Sequence, residues 1–292
     1  ALDLKGEVIT TPFSFVATTS SLVTNRLTPI FADIDEKTFN LNPKNIEKQI
    51  TANTSAILPV HVFGNACEVE EIEQIANKHN LKVVYDAAHA FDVKYKDNSL
   101  LNYGDISTLS FHATKLFHTI EGGALIINDD ELVQKVRYLI NFGIKSPTEI
   151  PHLGTNAKMN EFEAAMGLCI LDDIEKIKTN RKKVVENYRE NLNNIVQFQE
   201  QNINASENYS YFPILFKNEE ELLKVQKALN EKQIFPRRYF YPSLDTLDYI
   251  KPKQICEISQ DISKRVLCLP LYMELEKEDQ DKIMEILRKN YD

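Results

Sequence analysis

Leu81-Lys82-Val83-Val84-Tyr85-Asp86-Ala87-Ala88-His89 reads as a short β-rich run that ends on a carboxylate. Branched and aromatic residues up to Tyr85 make the strand, and the charge comes where the strand stops. Upstream, Glu68 to His79 places Val69, Ile72, Ile75 and Ala76 on one helical face. Before that, Ala56-Ile57-Leu58-Pro59-Val60 reads as a buried strand. Strand, helix and strand in succession make a βαβ unit, and hence a parallel sheet with a right-handed crossover. Downstream, Ile106 to Phe111 and Ala124 to Ile127 supply two more strands. Ligands of open α/β sheets bind beyond the carboxyl ends of strands, and Asp86 stands at one such end.

Ser110-Phe111-His112-Ala113-Thr114-Lys115 lies just past another strand end, so Lys115 and Asp86 are expected to converge on one crevice. A lysine after a strand is most often a solvated surface group. Here Ser110 and Thr114 offer hydroxyls suited to a phosphate, and Gly122-Gly123 allows close backbone approach. A lysine that is partly desolvated holds its proton less tightly and attacks an aldehyde as the free amine. A strand-end carboxylate such as Asp86 often caps a turn; beside a pyridine nitrogen it keeps that nitrogen protonated. An aspartate for a pyridine and a lysine for an aldehyde are what a protein supplies to pyridoxal 5'-phosphate.

Other residues near this pair read in two ways. His89 either reaches the ring hydroxyl of such a cofactor or is a core histidine. Phe15, in Thr11-Pro12-Phe13-Ser14-Phe15-Val16-Ala17-Thr18-Thr19, either stacks on a flat ring or packs in the core. Gly154-Thr155-Asn156-Ala157-Lys158-Met159 enters a long helix, and a turn of this kind either caps the helix or binds phosphate.

The chain of 292 residues has room for one large or two modest domains. A net charge of −9 with no run of Lys and Arg argues against nucleic-acid binding. No apolar stretch approaches the roughly 20 residues that span a bilayer, and the first residues lack the pattern of a secretory signal. Cys67, Cys169, Cys256 and Cys268 have no CxxC spacing, which favours buried reduced thiols over disulfides or zinc and suggests a cytoplasmic protein. No Gly-x-Gly-x-x-Gly turn occurs, which counts against a nicotinamide-dependent dehydrogenase. Glu161 to about Asn191 is long, helical and amphipathic, and the exit from the first domain falls there. The expected organisation is a large domain over 1–175 and a smaller α+β domain over 176–292. In the latter, Tyr211 to Phe216 reads as a strand, and Asn218 to Lys232 and Glu276 to Lys289 read as helices.

In order along the chain, these segments resemble the DegT/DnrJ/StrS family of sugar aminotransferases. The match runs from Gly6-Glu7-Val8-Ile9-Thr10-Thr11-Pro12 through Pro29 to Asp35, Pro59-Val60-His61-Val62-Phe63-Gly64 and Asp86-Ala87-Ala88-His89. It continues through Ser110 to Lys115 with Glu121-Gly122-Gly123, then Asn156 with Met159 and Glu161, and closes on Leu269-Pro270-Leu271. The resemblance implies an α/β fold of the fold-type I pyridoxal-phosphate class, with a mostly parallel sheet sandwiched by helices and a smaller C-terminal α+β domain. It implies Lys115 as the catalytic lysine that carries pyridoxal 5'-phosphate, and Asp86 as the partner of the ring nitrogen. His89 stands near the ring hydroxyl, Phe15 as the stacking aromatic and Ser110 as a phosphate ligand. Asn156 matches a residue that reaches the phosphate of the neighbouring subunit, so a homodimer with shared active sites is implied.

Ser-Phe-His-x-x-Lys followed by Glu-Gly-Gly resembles the branch acting on nucleotide-linked 4-keto-6-deoxy sugars, with glutamate as amino donor. Phe235-Pro236-Arg237-Arg238-Tyr239-Phe240-Tyr241-Pro242 resembles the stretch that contacts the sugar nucleotide, with Arg238 or Tyr241 as the contact. Family members carry a further segment before the strand at Val8-Ile9, including a turn that grips the cofactor phosphate. Either the numbering begins inside a longer protein or the chain is a truncated form, and only a truncated form is expected to keep the chemistry residues while holding the phosphate less tightly. Two rival readings remain: a truncated or catalytically inactive homologue with a binding or regulatory role, and a pyridoxamine-dependent sugar dehydratase on the same scaffold. In that dehydratase branch a histidine replaces the lysine, so Lys115 counts against the second.

Overall fold

Six strands form the main sheet in the order Thr28–Phe31, Glu7–Thr10, Thr54–Leu58, Lys82–Asp86, Ile106–Ser110 and Gly123–Ile127 in the computed structural model, which describes residues 1–291. The first five run parallel, and Gly123–Ile127 returns antiparallel to Ile106–Ser110. The strand expected over Ala56–Val60 instead spans Thr54–Leu58. Pro59 lacks an N–H and cannot continue the ladder. The chain then rejoins the sheet beside Asp86: Pro59 O accepts from Asp86 N at 2.9 Å, and Asp86 O accepts from His61 N at 3.0 Å. These two bonds fix the backbone that carries the Asp86 carboxylate.

The helix Val69–His79 forms as its apolar spacing predicts, burying Val69, Ile72 and Ala76. Glu70 and Glu71 occupy its first turn, Lys78 and His79 its last, and Asn80 ends it in the left-handed conformation. The helix Glu161–Leu192 begins at a capping box between Asn160 and Glu163. Its C-terminal half buries Val184, Val185, Tyr188 and Leu192. In its first half Phe162, Leu168 and Leu171 stay exposed.

Beyond this helix, Val266–Cys268, Pro213–Leu215 and Gln197–Phe198 make a small antiparallel sheet. The strand expected over Tyr211–Phe216 is thus three residues long. Helices Glu219–Asn230, Glu257–Arg265 and Lys277–Asn290 surround it. The apolar interior has separate parts. One cluster, including Ile9, Ile57, Ile72 and Tyr85, lies under the large sheet. Another, including Tyr188, Ile214, Leu229 and Leu287, fills the C-terminal layers. A third joins Phe13, Val60 and Phe63 to Leu215, Phe240 and Val266.

Asp33 ties the layers further, accepting from the N–H groups of Ile258 (2.9 Å) and Ser259 (3.0 Å) in the first turn of Glu257–Arg265. A carboxylate there meets unpaired amides and the positive end of the helix.

Cys67, Cys256 and Cys268 are buried and free, whereas Cys169 departs from the expected burial by facing solvent on the long helix. Among the described residues no helix is long and apolar enough to cross a membrane.

Candidate active site

At the carboxyl ends of the central strands lies a cavity of ≈ 380 Å³ lined by Phe15, Asp86, His89, Ser110 and Lys115, among others. Five of the six residues expected at a cofactor site therefore meet in one place.

Lys115 sits in the loop between the antiparallel strands Ile106–Ser110 and Gly123–Ile127. Phe111 N donates to Gly122 O, Ala113 N to Ile120 O and Lys115 N to His112 O, so the loop folds back on itself. Gly122 adopts φ +141°, a conformation side-chain-bearing residues rarely take, and an added Cβ would lie 2.5 Å from Thr119 Oγ1. Buried Leu116 and Phe117 anchor the loop, with Phe117 stacked on Phe91 at 4.6 Å. Lys115 is left half-buried, its Nζ 5.9 Å from the Tyr211 ring centroid. Burial lowers its proton affinity, and the Asp86 charge opposes that only in part.

Asp86 has a defined orientation. Thr18 Oγ1 donates to Oδ2 at 2.7 Å, and Ala88 N donates to Oδ1 at 3.1 Å. The Ser14 and Thr18 hydroxyls are also hydrogen-bonded, at 2.7 Å. With Thr18 donating to the carboxylate, Ser14 is the donor to Thr18.

The His89 imidazole is buried, and its Nδ1 accepts from Phe63 N at 3.2 Å. The proton of the neutral ring is thereby assigned to Nε2, leaving Nε2–H as the available donor. Burial, and then the Lys115 charge, hold this histidine well below its ordinary pKa. Its ring runs parallel to Phe63 and Phe240, with Tyr211 tilted against it at 4.6 Å.

Phe15 is 55% exposed, so it is not a core residue but a ring presented at the cavity mouth. Asn156 is exposed, pairs with Asn141 in an isolated bridge, and is not among the residues lining the cavity. Arg238 and Tyr241 also do not line it. Arg238 donates to Glu219 at 2.6 Å and packs its guanidinium on the Tyr241 ring at 3.8 Å. Its neighbour Arg237 lines the cavity, together with Tyr211, Tyr239 and Phe240.

Sequence reasoning left Thr18, Tyr211 and Arg237 unassigned. Thr18 and Arg237 fall inside segments already singled out, and Tyr211 opens the expected strand.

A pyridoxal phosphate ring suits this arrangement. An amine and a carboxylate that would pair if adjacent are held on a common cavity without ion-pair contact. A donor from His89 and hydroxyls from Ser110 and Thr114 border the same space.

The DegT/DnrJ/EryC1/StrS aminotransferase family model matches residues 1–288. A dTDP-4-amino-4,6-dideoxy-D-glucose transaminase of Shigella dysenteriae is 44% identical over 296 residues, covering 99% of this chain and 81% of that protein. A protein of the same name from Escherichia coli is 39% identical over 297 residues, covering 98% and 80%. The crystal structure of DesI in the presence of its TDP-sugar product superposes with a TM-score of 0.92 at 32% identity, covering 98% of this chain and 75% of that one.

Proposed function

This chain belongs to the DegT/DnrJ/EryC1/StrS aminotransferase family, and from that premise we propose that it moves an amino group from glutamate to C4 of a dTDP-linked 4-keto-6-deoxyhexose with pyridoxal 5'-phosphate as cofactor. It is an aminotransferase of nucleotide-linked sugars. The observation that carries the cofactor and site assignment is the separation of Asp86 and Lys115 on one cavity, each oriented and neither neutralised by the other.

When bound, the cofactor supplies an aldehyde for covalent attachment and a ring that accepts the electrons left when a C–H bond breaks. Lys115 would hold it covalently and, when its amine is free, would serve in the cavity as a base and acid whose lowered proton affinity suits it to take and return a proton. Asp86 would hold the ring nitrogen protonated, with Thr18 and Ala88 fixing the carboxylate's direction. His89 Nε2–H would be the donor for the ring hydroxyl, Phe15 would supply an aromatic face at the mouth, and Ser110 would contribute to phosphate binding.

The molecule acts as a homodimer in this reading. Leu153, Phe162 and Leu168 are exposed to 97%, 88% and 66%, and such side chains in and before one helix are what a subunit interface covers. Asn156 lies in the same segment and would reach the neighbouring subunit's cofactor phosphate.

The test is to incubate the protein and cofactor with L-glutamate and dTDP-4-keto-6-deoxy-D-glucose and to follow product mass and the position of the new nitrogen. A 4-amino sugar nucleotide is expected. No amine in the product, or amine at C3, overturns the assignment.

A further inference from the structure

Next to the Lys115 cavity lies a second one of ≈ 180 Å³, and Thr114, Tyr211, Arg237 and Tyr239 line both. The second cavity also contains Arg181, which is only 8% exposed. Arg181 Nε and Nη2 donate to the carbonyls of Tyr209 and Ser210 at 2.8 and 2.6 Å. Arg237 Nη1 donates to the Tyr239 hydroxyl at 2.8 Å. Reciprocal backbone bonds with Cys268, at 3.2 and 2.8 Å, fix the Arg237 backbone. Among the described residues neither guanidinium has a carboxylate within ion-pair distance. Among those residues no aspartate or glutamate lines the cavity either, although the chain carries a net charge of −9.

A buried cation satisfied only by carbonyls retains an unbalanced charge, and an anionic ligand relieves it. Burial lowers Arg181 to about 10, so it stays charged at neutral pH. The remaining walls include the apolar Pro236, Leu269, Pro270 and Leu271. The volume falls below the roughly 300–1,000 Å³ of sites for drug-sized ligands, which disfavours a nucleoside diphosphate and suits a short acid.

We propose that this second cavity is the carboxylate subsite of the amino donor, with Arg237 at the shared wall and Arg181 deeper binding an acidic 2-amino acid whose amine points at Lys115. The inference rests on the aminotransferase reading and adds to it the residues that select the donor. Donor and sugar nucleotide occupy the Lys115 cavity in turn, and only the donor reaches into the second cavity. Tyr211 lies between the two spaces, its ring facing Lys115 and its phenol within electrostatic range of both guanidiniums.

Steady-state kinetics of Arg237→Gln, with Arg237→Lys as the charge-keeping control, tests the proposal. Arg237→Gln is expected to raise the KM for L-glutamate by about tenfold or more, with that for the sugar nucleotide unchanged within about twofold and partial recovery in Arg237→Lys. The cavity is also read without turnover, by calorimetric titration with glutarate. Wild type is expected to bind it, L-glutamate to compete, and Arg237→Gln to lose most of the heat. A shift in the KM of the sugar nucleotide alone, or in neither KM, overturns the proposal, as does glutarate binding that Arg237→Gln leaves intact. Absence of amine transfer by wild type would instead sink the aminotransferase reading, and the glutarate titration would still judge the cavity.

Discussion

Asp86 and Lys115 line the same cavity with opposite charges and do not close into an ion pair. Two hydrogen bonds turn the carboxylate, and the back-folded loop Ser110–Gly123 holds the amine. The chemistry assigned to the site depends on that separation. Asp86→Asn keeps the shape of the side chain and removes the charge. The charge-assisted bond it would lose contributes ~1.5–3 kcal/mol, so kcat is expected to fall by about 10- to 100-fold. Single-turnover reaction with L-glutamate measures this, and an unchanged rate would remove Asp86 from the mechanism.

Thr18→Val deletes the hydroxyl that donates to Asp86 Oδ2 without changing side-chain size. Cofactor affinity is expected to weaken by about tenfold, the scale of one hydrogen bond to a charged group. Titration of the cofactor-free protein followed by absorbance checks it. Equal affinity in the variant would mean that the Thr18 bond does not orient Asp86 for the cofactor.

The contribution of Thr18 was hidden in the sequence for a physical reason. Val16-Ala17-Thr18-Thr19-Ser20-Ser21-Leu22-Val23-Thr24 is rich in β-branched and hydroxyl residues of modest helix propensity, yet it forms the helix Val16–Thr24. Thr18 and Thr19 are buried there, and tertiary packing decides the outcome. Asp86 and Lys115 were legible because each follows a short apolar strand, a local pattern. Arg237 and Arg238 could not be separated in this way. In an extended segment adjacent side chains point to opposite sides. Which one faces the cavity depends on pairing with Cys268, far along the chain, and it leaves Arg238 on Glu219. The expected division between domains at residues 175 and 176 falls inside the helix Glu161–Leu192, whose exposed first half and buried second half form one periodic pattern.

Acid is expected to destabilise the fold through His61. This ring is fully buried and stacks on Tyr85 at 4.7 Å, and its Nδ1 accepts from Cys67 N at 3.1 Å. Burial lowers it from 6.5 to about 3. Because the folded value is depressed, the unfolded chain binds the extra proton. The stability tied to this group is complete above pH 6.5 and falls between there and about 3, by up to ~1.4 kcal/mol per pH unit. Urea melts across that range should show the slope, and His61→Gln should reduce it. An identical slope in the variant would assign the acid sensitivity elsewhere.

Phe162 is 88% exposed on the first turn of the long helix. If that face is the subunit interface, Phe162→Glu places a charge where apolar contact is needed. The dimer dissociation constant is expected to rise by about 30-fold or more, as for an interface hot spot. Sedimentation velocity over a concentration series measures it. Wild type that sediments as a monomer, or a variant that dimerises equally well, would contradict this interface.

The most direct measurement is chemical. Protein mixed with pyridoxal 5'-phosphate is reduced with borohydride, digested, and its peptides weighed by mass spectrometry. The account predicts one phosphopyridoxyl mass increment on the peptide containing Lys115, absent from Lys115→Ala and blocked when L-glutamate is added first. Labelling spread over other lysines, or the same labelling in Lys115→Ala, would contradict it.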